Sequence, residues 1–451
     1  MLFRSKLYFT LDCILLLLLL FLYEKFNKEN IIIIPLVIIS VLVCLGVNLS
    51  DSLVTLEDFG KQNDPLLEEI TEDIAQSDKG VYRMAINLKA STQLVNHVDN
   101  INENITTLYS STYNTNYNYF FYDFNNNRAS RNMFITSETK NTLFETLMGV
   151  KYLITDKKAP YGYKVWKKYD NYTVYINENA LPIGYVTDRV MSYDDYDDLK
   201  FPDDSLSLFG NVIASDGDYE YESKAEKVNL DFSSGKSSNL DISSYKDGYK
   251  VVVNDDSGSL KLKVDEGLYL FRMTLENPQE CALGDTYISV NGVMNKLTCK
   301  SWKYFNDNYT FDYTLFGDTL NIKFSEGTHY IKKIELYIID GFDSDVSAME
   351  NVEVFGDKLT GTVNSNGGYL ILSIPYDKGF TVKVDGKEVL YEKVNTSFIG
   401  FKVSSGKHDI EITFDAPNAF IGKIVSLISF GLLCFIILYD KIYYTRRDFN
   451  G

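Results

Sequence analysis

Three long apolar runs constrain this chain more than any other feature of its sequence. The first two occupy residues 7–23 and 31–47, separated by a short polar segment, and the third occupies residues 419–439. Each run is close to the ~17–25 residues that a helix needs to cross the hydrocarbon of a bilayer. The pattern predicts a transmembrane helical hairpin at residues 1–47 and a C-terminal transmembrane helix at residues 418–440.

A cleaved signal peptide is the alternative interpretation of the first run. That run has no small-residue cleavage site, and it leads directly into a second apolar run. A signal peptide has such a site and ends at it. The two runs therefore favour a pair of spanning helices.

Basic residues set the expected orientation of the chain. Lysine and arginine cluster in residues 441–451, and short basic flanks mark the cytoplasmic side of a span. We expect residues 441–451 to form a cytoplasmic basic tail and the region between the spans to lie outside the membrane. The N-terminus would then lie outside as well, although Arg4 and Lys6 oppose the rule. We therefore expect the chain to correspond to the tail of a longer polytopic protein.

The region between the predicted spans changes character twice. Residues 48–215 mix helix and strand signals, which predicts an extracytoplasmic α/β domain. Short alternating strands then recur and predict a β-sandwich domain at residues 216–345 and a small β-sandwich domain at residues 346–417. The predicted fold class is an α+β membrane protein, in which three transmembrane helices flank an α/β unit followed by β-sandwich domains.

Charge and hydropathy exclude one class of partner. The chain has 44 Lys and Arg against 62 Asp and Glu, which leaves a formal net charge of −18. Such a surface repels a phosphate backbone, so nucleic-acid binding is not expected. The mean hydropathy of −0.14 indicates that most of the chain lies in water.

Two segments between the spans have compositions suited to ligand binding. The run at residues 109–124 interleaves Tyr with Asn and Ser, a mixture that can present aromatic faces and hydrogen-bonding groups to a sugar. The candidate sugar-binding residues are Tyr109, Ser110, Ser111, Tyr113 and Tyr117. A chain-wide abundance of Tyr and Asn is the alternative explanation.

The acidic stretch at residues 193–204 is the second such segment. Its carboxylates could hold a hard cation, but the stretch lacks the spacing of a calcium loop. A solvated loop between domains is the favoured interpretation.

Cysteine and histidine give few candidate sites. Cys281 and Cys299 lie outside the apolar runs, and their spacing suits a disulfide, with two buried free thiols as the alternative. The three histidines are scattered singly, so no metal site is expected. No nucleophile, phosphate-binding or dinucleotide motif is present, so we predict no cofactor and assign no catalytic residue.

Six short strings occur in the order found in one family of bacterial membrane proteins. They are YSS (109–111), MGVKYLIT (148–155), ENALPIG (178–184), IPYDKG (374–379), VDGK (384–387) and GKH (406–408). On these strings the chain resembles the YfhO family over nearly its whole length. Members of that family are multi-spanning proteins similar to GT-C glycosyltransferases.

The resemblance implies a function at the outer face of the bacterial cell membrane. It implies transfer of a sugar from a polyprenyl-phosphate carrier to a cell-envelope polymer such as lipoteichoic acid, with the lipid bilayer, the carrier and the polymer as partners. Acidic catalytic residues are expected in an early external loop between the first spans of the family. This chain has two spans before its exterior region where the family has many, so we expect the catalytic part to be missing, and whether the chain is itself an enzyme stays open. The alternative is a non-catalytic surface protein that binds glycans or a partner protein.

Overall fold

A computed structural model describes residues 64–88, 104–106, 108–110, 113–125, 134–136, 140–277, 286–299, 305–343 and 346–448. The chain divides into two compact units, residues 1–67 and residues 68–451. The first two apolar runs, Ser111 and Cys281 lie outside the described residues.

The first described region combines short helices with a small mixed sheet. Its helices are α1 (Pro65–Ser77), α2 (Thr115–Phe124), α3 (Thr142–Leu147), α4 (Tyr193–Asp198) and α5 (Asp203–Leu206). Its strands are β1 (Arg83–Asn87), β2 (Leu108–Ser110), β3 (Phe134–Thr136), β4 (Val150–Thr155), β5 (Lys164–Lys168), β6 (Thr173–Ile176), β7 (Gly184–Thr187), β8 (Val190–Ser192) and β9 (Val212–Ala214). The first sheet has the order β1-β4-β6-β5, and β1 runs parallel to β4.

The middle sheet has seven strands and is antiparallel. It contains β10 (Glu226–Lys227), β11 (Lys236–Ser238), β12 (Asp241–Tyr245), β13 (Gly248–Glu276), β14 (Tyr287–Val290), β15 (Val293–Lys296) and β16 (Asn308–Ile339), and a 3-10 turn spans Phe232–Ser234. Strands β13 and β16 bend back so that Phe271 pairs with both Leu336 and Tyr313. Buried and exposed side chains alternate along much of both strands, as expected for sheet faces with different surroundings.

The third sheet has eight strands. It contains β17 (Ser347–Ala348), β18 (Glu350–Phe355), β19 (Lys358–Pro375), β20 (Phe380–Val384), β21 (Lys387–Val389), β22 (Glu392–Val394) and β23 (Phe398–Phe414), and β7 from the first region completes it. Tyr185 of β7 pairs with Ile371 of β19, so this sheet draws on segments almost 190 residues apart. The predicted domain boundaries at 215 and 345 stay predictions.

Two hydrophobic cores differ in how they are assembled. The core of the middle sheet, which includes Phe271 and Phe311, is built from residues 228–338 alone. A second core joins Phe121 and Phe144 of the first region to Phe398 of the third sheet. The first region is therefore packed onto the third sheet by burial of shared apolar surface.

The helix α6 (Ala419–Asp448) follows the third sheet. Among the described residues, its segment Ala419–Tyr439 is the one helix long and apolar enough to cross a membrane. The predicted fold class is wrong, because strand accounts for 50% of the structure and helix for 19%, and the described residues contain one such helix in place of three. The first two predicted spans lie outside those residues. The region predicted to mix helix and strand is one source of the error, because its helix α3 has only six residues.

Candidate functional site

A groove of 830 Å³ brings together the two segments that the sequence singled out for their composition. Tyr119, Tyr122 and Asp123 come from the tyrosine-rich run, and Tyr196, Asp197 and Asp204 come from the acidic stretch. We call this surface the acidic aromatic groove. Two segments that are about 70 residues apart in the chain thus form one concave surface.

Helix α2 forms one wall of the acidic aromatic groove. Its first turn is capped by Asn114, whose side-chain oxygen accepts a hydrogen bond from the backbone N–H of Tyr117 at 3.1 Å. Phe121 is fully buried and packs edge-to-face on Phe144, with ring centroids 5.4 Å apart. Because one face of the helix is held in the core, Tyr119 is turned outward and is 71% exposed.

Helix α4 forms a second wall. The Ser192 hydroxyl caps it by accepting from the N–H of Asp195 at 3.1 Å, and carboxylates in the first turn suit the positive end of the helix dipole. The Tyr193 hydroxyl donates to the backbone carbonyl of Lys393 at 2.8 Å, and Lys393 also lines the groove. The acidic stretch is therefore a short capped helix fixed to the third sheet.

Arg272 of the middle sheet supplies the positive charge in the groove. Its guanidinium donates to both carboxylate oxygens of Asp312, at 2.7 and 2.8 Å, and lies 3.7 Å from the centroid of the Phe201 ring. Asp204 lies 4.0 Å from the same guanidinium and accepts from the Ser205 hydroxyl at 3.0 Å. Burial nevertheless raises the pKa of Asp204, since the guanidinium is engaged mainly by Asp312.

The phenol of Tyr196 lies among the carboxylates. Burial raises its pKa, and the negative charges of Asp204, Asp123 and Asp197 raise it further. The hydroxyl therefore stays protonated at neutral pH. The groove thus offers a phenolic donor and several carboxylate acceptors beside an exposed aromatic face.

This arrangement suits a polyhydroxylated ligand better than a metal. Sugar hydroxyls can donate to carboxylates, and the apolar face of a sugar ring can lie against a tyrosine. Within the described part of the chain, no three His, Cys, Asp or Glu side chains are close enough to hold a metal ion. The carboxylate oxygens of Asp123, Asp197 and Asp204 can each accept hydrogen bonds in the groove.

The predicted sugar-binding residues do not line this groove. Tyr109 and Ser110 lie on β2, and Ser111 lies outside the described residues. Tyr113 is 38% exposed and lines another groove of 850 Å³. Tyr117 packs against Phe398, with ring centroids 6.5 Å apart, and burial raises its pKa to about 12. Their role in sugar binding stays a prediction.

Sequence reasoning missed Tyr119 and Tyr122, which lie in the same run. A helix over residues 115–124 would have put Phe120 and Phe121 on the core face and Tyr119 and Tyr122 on the outer one. The signal that could have found these two tyrosines is the helical periodicity of residues 115–124, since the composition of the run does not show which side chains face outward.

The cysteine prediction is partly outside the described residues. Cys299 is buried and disulfide-bonded. Cys281 lies outside those residues, so the pairing of these two stays a prediction. Cys434, in α6, is a free thiol.

Comparison with solved structures gives only weak similarity. A CBM6 module of LamC from Zobellia galactanivorans matches with a TM-score of 0.18 and 12% identity, covering 25% of this chain and 98% of that one. An exo-β-1,3-galactanase from Phanerochaete chrysosporium gives the same score and identity, covering 25% of this chain and 29% of that one.

Comparison with known protein sequences identifies the family to which the chain belongs. The Bacillus subtilis (strain 168) protein YfhO is 27% identical over 343 residues, which are 70% of this chain and 38% of that protein. The chain thus spans well under half the length of this relative. The family described as bacterial membrane protein YfhO matches residues 2–426. This match confirms the resemblance seen in the six short strings, and the chain belongs to the YfhO family of bacterial membrane proteins.

Proposed function

We propose that this chain is the extracytoplasmic portion of a membrane glycosyltransferase of the YfhO type, and that its acidic aromatic groove holds sugar units of the acceptor. The reaction would move a sugar from a polyprenyl-phosphate carrier to a cell-envelope polymer such as lipoteichoic acid. In this arrangement the β-rich region faces the outside of the cell.

The observation that carries this proposal is the convergence of exposed tyrosine and carboxylate in one groove. Tyr119 offers a flat face, Asp123 and Asp197 offer acceptors, and the Tyr196 hydroxyl offers a donor. A sugar presents hydroxyls around a partly apolar ring, so it can use all three kinds of contact at once. A groove of 830 Å³ is within the usual size range of ligand sites.

We assign binding, and not bond formation, to this groove. Holding an acceptor beside a membrane-bound donor contributes to catalysis by positioning the two reactants. The match covers 38% of Bacillus subtilis YfhO, and we propose that transfer chemistry belongs to the part of such proteins that this chain does not match.

A non-catalytic surface protein that binds glycans is the second candidate function. It is favoured by the make-up of the groove, whose tyrosine and carboxylate side chains can hold a sugar without a bond-forming step. Both functions require glycan binding at the groove. They differ in whether the full-length YfhO-type protein transfers sugar from a polyprenyl-phosphate donor.

Binding of purified lipoteichoic acid to the detergent-solubilised chain, measured by titration calorimetry, tests the proposal. Tyr119→Ala removes an exposed ring and is expected to weaken binding about two- to tenfold, since an aromatic contact is worth ~0.5–1.5 kcal/mol. Tyr161→Ala is the matched control, because Tyr161 is 42% exposed and lines a different cleft. Equal affinity of wild type and Tyr119→Ala would contradict the proposal.

The same assay tests the original tyrosine candidates. If Tyr113 and Tyr117 contact sugar, Tyr113→Ala and Tyr117→Ala weaken binding without lowering the melting temperature. Because the Tyr117 ring packs on Phe121 and Phe398, we expect Tyr117→Ala to lower the melting temperature. A parallel loss of binding and stability identifies a packing residue.

A further inference from the structure

We propose that the end of the third sheet nearest α6 rests in the surface of the same bilayer that α6 crosses. The contact is made by three apolar side chains at the tips of two strand connections. Val354 is 54% exposed, Phe355 is 88% exposed and Leu390 is 95% exposed. We call these three residues the apolar tips. The proposal concerns a surface other than the glycan groove and does not depend on the proposed function.

The first tip is tied to the chain just before the membrane helix. Phe355 pairs with Lys358 across a tight turn that contains Gly356 at φ 56° and Asp357. The backbone carbonyl of Asp357 accepts from the N–H of Phe414 at 2.9 Å. Phe414 ends β23, five residues before α6 begins at Ala419. The Val354 and Phe355 side chains therefore lie at the level where the chain enters the membrane.

The second tip lies at the same end of the sheet. Phe380 pairs with Phe414, and Val382, two residues further along β20, pairs with Val389 of the neighbouring strand. Leu390 is next to Val389 in the direction of Phe380. The register therefore places Leu390 close to the end of the sheet from which α6 emerges.

A loop between the tips is fastened to the same segment. The N–H of Asp415 donates to the carbonyl of Gly379 at 2.9 Å, and the Tyr391 hydroxyl donates to the carbonyl of Asp377 at 3.0 Å. A Cβ on Gly379 would come within 2.4 Å of the Asp415 carbonyl oxygen, so the backbones approach closely here. This packing fixes the position of the apolar tips relative to the start of α6.

The position of α6 identifies the occupant as lipid. Side chains as exposed as Phe355 and Leu390 leave apolar area in water, which is unfavourable unless something covers it. A helix that crosses a bilayer places the headgroup region at its end, and a domain edge within a few residues of that end meets it. Apolar and aromatic side chains are stable at that boundary.

The adjoining groove extends this apolar surface. Val354, Phe380, Phe414 and Ala416 line its 850 Å³ together with Tyr113. Tyrosine is enriched at membrane interfaces, since its ring is apolar and its hydroxyl remains in water. Of the apolar tips, Val354 itself lines this groove, so the groove adjoins the first tip.

Fluorescence quenching of single added tryptophans tests the proposal on the full chain. Phe355→Trp, Leu390→Trp and the control Met294→Trp are reconstituted in vesicles of phosphatidylglycerol and phosphatidylcholine with brominated acyl chains. Met294 is a suitable control because it is 39% exposed and lies on the middle sheet. The signal of the native Trp166 and Trp302 is common to all variants and is subtracted using wild type.

We expect the added signals at positions 355 and 390 to be blue-shifted and mostly lost in brominated lipid, and the signal at 294 to be unchanged. Quenching at 355 no greater than at 294 would overturn the proposal. Protection of position 355 from aqueous iodide without quenching by brominated lipid would also overturn it, because that result identifies a protein partner, such as a second copy of the chain.

Discussion

The middle sheet and the region that carries the acidic aromatic groove are built in different ways. The middle sheet encloses its own core, and the largest part of its pairing is between two long strands, β13 and β16. The groove region encloses a core to which α2, α3 and the third sheet all contribute. The middle sheet therefore has a core of its own, although its Leu270 and Ile339 also enter the second core. The groove, in contrast, exists only after distant segments have packed together.

The largest expected effects come from substitutions that leave a cavity in one of the two cores. Phe121→Ala and Phe324→Ala both remove a fully buried ring and should each lower the free energy of unfolding by ~3–5 kcal/mol. The two variants should differ in ligand binding measured well below the melting temperature. Phe121→Ala should weaken lipoteichoic acid binding, because α2 carries Tyr119, and Phe324→Ala should leave it unchanged. Equal effects on binding would remove the distinction between the two regions.

A smaller effect tests the attachment of the first region to the third sheet. The buried side-chain oxygen of Asn395 accepts from the N–H of Ile213 at 2.7 Å, and the N–H of Asn395 donates to the Ile213 carbonyl at 3.0 Å. Asn395→Ala leaves the first N–H without its partner and should cost ~1–3 kcal/mol in the free energy of unfolding.

Asn351→Ala is the matched control for this substitution. Asn351 also has a positive φ, at 51° against 45° for Asn395, but it is exposed. Denaturant unfolding of both variants separates backbone strain from the loss of the buried hydrogen bond. Equal destabilisation would show that Asn395 does not join the two regions through its side chain.

The smallest expected effects concern the pH dependence of stability, to which one histidine in the middle sheet and one in the third sheet contribute in opposite directions. In the middle sheet, burial lowers the pKa of His329 below its ordinary value of about 6.5. The unfolded state then binds the proton more readily, so His329 reduces stability as pH falls through about 6.5. In the third sheet, the hydrogen bond from Nδ1 of His408 to Asp385, at 2.8 Å, raises the pKa of His408. Its stabilisation is complete below about pH 6.5 and is lost as pH rises through the raised pKa.

The two predicted pH dependences are checked by measuring the free energy of unfolding of His329→Gln and His408→Gln between about pH 5 and pH 9. Relative to wild type, His329→Gln should flatten the loss of stability on the acid side. His408→Gln should flatten the loss on the alkaline side. Similar pH profiles for both variants would contradict the two environments described here.

The features that depend on local periodicity could be predicted from the sequence. The alternation in residues 260–264 and 268–275 predicted strands that the structure contains within β13, and the apolar run at 419–439 predicted a helix. The overall class was wrong, because periodicity does not state how much of a mixed region becomes strand. The addition of Gly184–Thr187 to the third sheet could not be predicted, since partner choice between distant strands leaves no local signal.

The groove was predicted only in its parts. The tyrosine-rich run and the acidic stretch were each recognised, but composition does not show that two segments meet. Arg272 was not a candidate, because it lies in a regular strand and enters the groove only when β13 packs beside α5. Its partner Asp312 lies 40 residues away and was equally invisible to motif analysis.

Hydrogen exchange with and without lipoteichoic acid tests the central claim most directly. The account predicts that ligand slows exchange in helix α2 (Thr115–Phe124) and in residues 193–206, where the walls of the acidic aromatic groove lie. Exchange in residues 248–263 of the middle sheet should stay the same. Unchanged exchange in both groove segments at saturating ligand, or protection confined to the middle sheet, would contradict the assignment of the groove as the glycan-binding site.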